Sequence, residues 1–65
     1  MTHIDYQNAQ KQLGYYGRGK MAGWLDAMGI SESAHRKYRS GDKPVNPTVE
    51  RLITALLKIQ QIENN

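Results

Sequence analysis

The sequence predicts an all-α fold, a compact four-helix domain that takes residues 1–65 as a single unit. Three observations predict it. No stretch alternates apolar and polar side chains as a half-buried strand requires. Glycine at 14, 17, 19, 29 and 41 and proline at 44 and 47 punctuate the chain into four segments. Two segments carry apolar residues at helical spacing: Met21, Trp24, Leu25 and Met28, then Val49, Leu52, Ile53, Leu56 and Ile59.

The first helix is expected from about Asp5 to Leu13, with Ile4, Ala9 and Leu13 as a sparse stripe and Gly14 as its stop. The second spans the Met21 to Met28 pattern and ends at Gly29, which reaches the left-handed region without the penalty a Cβ brings. The third opens at Ser31, whose hydroxyl can accept the N–H of Ser33 or Ala34, and Glu32 sits at the positive end of the helix dipole. The fourth starts from Asn46 as N-cap, with Pro47 at the first helical position, where no amide donor is needed. Leu57 and Ile62 fall outside its stripe; they either cover the first helix or form a dimer contact.

A domain of this size buries roughly 60% of the surface its unfolded chain exposes. The chain has no cysteine, so neither disulfides nor a thiolate metal site can supplement that core, and helix packing or oligomerisation must do so. No apolar run approaches the roughly 20 residues of a membrane span, and the first residues lack a signal-peptide pattern. The expectation is a soluble, cytoplasmic protein without a membrane partner. Net charge is +3 and the sequence pI is about 9.5, which favours acidic partners. The cations gather in the middle stretch: Arg18, Lys20, Arg36, Lys37, Arg39 and Lys43 stand against Asp26, Glu32 and Asp42.

A glycine that ends one helix, a serine that caps the next and a cationic second helix make double-stranded DNA binding the leading expectation. From Met21 to about Ile59 the chain resembles the helix-turn-helix of the phage Cro/repressor (XRE-like) regulators. Gly29 matches the turn glycine, Ile30 the apolar residue after it, Ser31 the cap of the recognition helix and Tyr38 its apolar or aromatic anchor. The stretch is also similar to small anti-CRISPR-associated repressors. Two positions depart from the pattern. Leu25 stands where the family has a close-packing alanine, so it must push the helices apart or meet a small partner, Ala22 or Ala34. His35 stands where the family buries an aliphatic residue; it is either tucked against Trp24 or Tyr38 or turned to DNA.

A helix packed through Ala34 and Tyr38 would turn Glu32, Arg36 and Arg39 outward, whereas the register implied by the resemblance, through His35 and Tyr38, exposes Ser33, Arg36, Lys37 and Ser40. Arg36 faces outward in both and is the first candidate for paired hydrogen bonds to guanine. Ser31, Glu32, Ser33 and Lys37 are the other base-contact candidates. Glu32 can accept from cytosine N4 or serve only the helix dipole. Arg39, Lys43, Ser40, Arg18 and Lys20 are expected on phosphates, the last two on a glycine loop that lets the backbone approach closely. Leu57 and Ile62 are the dimerisation candidates.

The segment Gly14-Tyr15-Tyr16-Gly17-Arg18-Gly19-Lys20 lacks the spacing of a nucleotide phosphate loop. Its tyrosines can stack on single-stranded bases or pack as core and rim. His3 and His35 make no metal-ligand cluster, and no nucleophile-base arrangement is present, so no catalysis, metal, cofactor or small-molecule substrate is expected. The expected function is a sequence-specific repressor, a homodimer on a promoter inverted repeat, phage-derived, autoregulatory or controlling an anti-CRISPR operon. The rival is a protein-interaction module on the same scaffold, a phage inhibitor or antitoxin.

Overall fold

A computed structural model describes residues 1–63, which form α1 (His3–Gln12), α2 (Met21–Met28), α3 (Glu32–Ser40) and α4 (Pro47–Glu63). α1 packs against α3 and α4, and α2 packs against α4. None of the described helices is long and apolar enough to cross a membrane.

α1 begins two residues before its expected start because Thr2 and Asp5 form a capping box. The Thr2 hydroxyl accepts Asp5 N–H at 3.1 Å, and Asp5 Oδ2 accepts Thr2 N–H at 3.1 Å. Those bonds to Thr2 hold the Asp5 carboxyl below its usual range. The buried face of α1 is Tyr6, Ala9 and Gln10, with Leu13 half-buried, in place of the expected Ile4, Ala9 and Leu13 stripe; Ile4 is 51% exposed. Ile4 lies about 200° around the helix from Tyr6, so packing Tyr6 inward turns Ile4 out.

α2 ends on Gly29 at φ 66°, as expected. Leu25 is half-buried at the margin of the core, as is Ala34, whereas Ala22 is exposed. α3 is capped by Ser31, whose Oγ accepts Ala34 N–H at 3.1 Å. It ends on Gly41 at φ 85°. A Cβ on Gly41 would lie 3.1 Å from His3 Nδ1, whereas one on Gly14, also at φ 85°, would meet nothing within 4 Å among the described residues beyond its chain neighbours. Both Gly41→Ala and Gly14→Ala carry the left-handed cost of about 1–2 kcal/mol, and Gly41→Ala adds the His3 contact. Urea unfolding should therefore rank Gly41→Ala as the more damaging; equal losses would mean that His3 moves aside freely.

α4 is capped by Asn46, whose Oδ1 accepts Thr48 N–H at 2.8 Å. Val49 and Ile53 are buried, Leu56 and Leu57 are half-buried against the core, and Leu52, Ile59 and Ile62 are 36%, 51% and 74% exposed. The pair Leu57 and Ile62 thus forms no shared contact face. Five positions of helix separate them by about 140°, so Leu57 turns to the core when Ile62 turns to solvent.

The centre is aromatic. Tyr6 meets Trp24 edge-on at 5.6 Å between ring centroids and Tyr38 edge-on at 5.7 Å, the arrangement that ring quadrupoles favour. Met28, Val45, Val49 and Ile53 close around these rings.

Candidate nucleic-acid interface

α3 divides cleanly into two faces. His35 and Tyr38 are buried and Ala34 is half-buried, while Glu32, Ser33, Arg36, Lys37, Arg39 and Ser40 are exposed. This is the register through His35 and Tyr38, and Arg39 joins the exposed set. Along the solvent face the charges are those of Glu32, Arg36, Lys37 and Arg39.

Arg36 is not idle on that face. Its Nη2 donates to Glu32 Oε1 at 2.8 Å, an i,i+4 pair with both side chains more than half exposed. Pairs of this kind contribute only about 0.3–0.5 kcal/mol, so a base edge or phosphate can displace the carboxylate at small cost. Glu32, offered by the sequence as a base contact or a dipole partner, has Arg36 as its side-chain partner here. Ser31 commits its oxygen to the helix cap. Ser40 donates from Oγ to Lys37 O at 3.3 Å and accepts Asp42 N–H at 3.4 Å, so its hydroxyl is engaged in the turn after α3.

The loop between α1 and α2 places Arg18 and Lys20 in solvent, with Gly17 at φ 122° and Gly19 at φ 77°. Tyr16 is 56% exposed and carries Lys11 Nζ 4.8 Å from its ring centroid, adding a cation to the loop that spacing alone did not single out. Tyr15 is half-buried and packs on Trp24 at 5.7 Å, the core-rim placement of the two the sequence offered.

His35 is the inward anchor of α3. It is 1% exposed and cannot meet DNA, the tucked-in placement of the two the sequence allowed, and its hydrogen-bond partner is Tyr6. Trp24 Nε1 can only donate, and it does so to Tyr6 Oη at 2.8 Å. With Trp24 on one lone pair, the Tyr6 hydroxyl can donate to His35 Nδ1, 2.6 Å away, in the tautomer that carries the imidazole proton on Nε2. One hydroxyl thereby ties α1, α2 and α3 together.

Burial pushes the His35 imidazole below its ordinary range, Arg39 adds to the shift and Glu32 opposes it. Burial raises the Tyr6 phenol, the Trp24 hydrogen bond opposes this, and Tyr38 adds to it. For His35 the unfolded chain binds the proton more readily, so stability is full above about pH 6.5 and falls as pH drops through the folded value. For Tyr6 the sign reverses, and stability is lost above about pH 10. Urea midpoints measured from pH 5 to 8 should fall toward acid in the parent and flatten in His35→Asn, which keeps an acceptor near Nδ1. An identical slope in both proteins would exclude His35 as its source.

No family model matches the chain, and neither a curated protein nor a solved structure is significantly similar to it.

Proposed function

We propose that α2, the Gly29 turn and α3 act as a helix-turn-helix, and that the chain is a sequence-specific double-stranded DNA-binding repressor working as a homodimer. The carrying observation is the two-faced α3: His35 and Tyr38 anchor it while Ser33, Arg36 and Lys37 stand outward beyond a serine-capped N-terminus. The N-terminal residues of such a helix are the ones that approach base edges, and two copies about 34 Å apart read an inverted repeat. Arg36 reads a base; Arg39, Lys43, Arg18 and Lys20 neutralise phosphates, which position the protein without specifying sequence. Repression follows from occupying a promoter, the protein's own among them.

The test is binding to duplex DNA taken from upstream of the gene, followed by fluorescence anisotropy at several salt concentrations. Arg36→Ala should cost about 1–3 kcal/mol on the preferred site and relax preference there, while Lys43→Ala should weaken all sequences alike and reduce the salt slope by about 1. Unchanged affinity in Arg36→Ala removes the base-reading assignment. No binding to that DNA at low salt overturns the repressor reading in favour of a protein partner for the same face.

A further inference from the structure

α4 carries more apolar surface than its own core uses. Val49 and Ile53 point inward, yet Leu52, Ala55, Ile59 and Ile62 are all exposed, at successive spacings of three, four and three residues. That is the a-d-a-d order of a two-heptad coiled-coil seam. At 100° per residue the four fall within about 80° of arc, a stripe beside the core-facing one and distinct from it. Exposure rises along the stripe, from 36% at Leu52 through 51% at Ile59 to 74% at Ile62.

The flanking charges choose both the occupant and its direction. With Leu52 and Ile59 at a, the g positions are Arg51 and Lys58 and the e positions are Leu56 and Glu63. In a parallel pair each g residue reaches the e residue five positions on in the second helix. Lys58 then meets Glu63 of the second copy, twice by symmetry, and Arg51 meets Leu56. An antiparallel pair would instead set Arg51 against Lys58, cation on cation.

We propose that the Leu52, Ala55, Ile59 and Ile62 face of α4 pairs in parallel with the same face of a second copy of this chain, closed by Lys58 and Glu63. The seam rests on the repressor reading and deepens its homodimer by naming the contact; of the two dimerisation candidates it keeps Ile62 and leaves Leu57 to the core.

Sedimentation of the full chain without DNA, from about 5 to 500 μM, tests it through the concentration dependence of mass. The parent should shift from monomer toward dimer across that range. Ile59→Lys should raise the dissociation constant at least about a hundredfold with helicity unchanged, because Ile59 is exposed in the monomer. Lys58→Glu should weaken the dimer severalfold and the exchange Lys58→Glu with Glu63→Lys should restore it; in an antiparallel pair Lys58→Glu would meet Arg51 and tighten it. Because the chain has no cysteine, Ile59→Cys gives an independent reading: parallel pairing sets position 59 opposite itself, within the roughly 4.4–6.8 Å Cα separation of a disulfide, and oxidation should yield a linked dimer. A parent that stays monomeric throughout, or an Ile59→Lys variant that associates like the parent, overturns the seam. A monomer that still binds DNA defeats the seam alone, whereas a dimer that binds none defeats the repressor reading alone.

Discussion

Tyr6→Phe should destabilise the domain by about 2–4 kcal/mol, although it removes a single oxygen atom. That oxygen accepts from Trp24 Nε1 at 2.8 Å and is 2.6 Å from His35 Nδ1, and all three side chains are buried. Deleting it strands one donor and one acceptor, each costing about 1–3 kcal/mol once water cannot reach it. A chain of this length has about 3–10 kcal/mol of total stability, so the variant should sit near the edge of folding. The melting temperature should drop by roughly 10–25 °C. A partial remedy is built into the chemistry. Among the described residues His35 Nε2 has no hydrogen-bond partner, so adding His35→Leu to Tyr6→Phe removes two unsatisfied atoms at once. The double variant should be more stable than the sum of the single losses predicts, with a coupling of about 1–2 kcal/mol. Chemical denaturation of the four proteins in the cycle measures this. A Tyr6→Phe midpoint equal to the parent's would show that the hydroxyl bridge contributes nothing.

Ile53→Ala should cost about 2–5 kcal/mol by combining lost transfer energy with the cavity left behind. Ile53 is 0% exposed and stands with Trp24, Tyr6 and His35 among the largest fully buried side chains. Alanine's better helix propensity offsets only a few tenths of a kcal/mol. The informative control is Ile59→Ala, six residues on along the same helix. Ile59 is 51% exposed, so at concentrations where the chain is monomeric its loss should stay within about 0.5 kcal/mol. Similar losses at the two positions would contradict the division of α4 into a core face and an outer face.

Much of the helix framework was legible because local chemistry decides it. Gly29 at φ 66°, the Ser31 cap and the Asn46 cap before Pro47 are each fixed by residues adjacent in sequence. The centre of the core was harder to see. Tyr6, Ala9, Gln10 and Leu13 follow i, i+3, i+4 and i+7, but a search for aliphatic residues passes over a tyrosine and a glutamine and settles on Ile4. Gln10 earns its interior place through Tyr15 O, to which its Nε2 donates at 3.0 Å. The partnership of Tyr6 with His35 spans 29 residues, and no local pattern encodes a hydrogen bond across that separation. The same limit applied to α4, where Leu52 and Ile59 share the helical period of Ile53 but not its burial. The candidate interface was easier, since Arg36 faces solvent in either register; which of its neighbours join it depended on whether His35 went inward.

The two faces of α3 also bear on how such a helix can change over generations. Its attachment rests on His35, Tyr38 and the Ser31 cap, whereas positions 33, 36 and 37 are exposed. Substitutions at exposed positions away from special contacts usually alter stability by less than about 0.5 kcal/mol. Under the DNA-binding proposal, a new target preference can therefore arise by single steps at 33, 36 or 37 without passing through an unfolded intermediate, and lineages of this domain can diverge in what they recognise while keeping one unchanged interior.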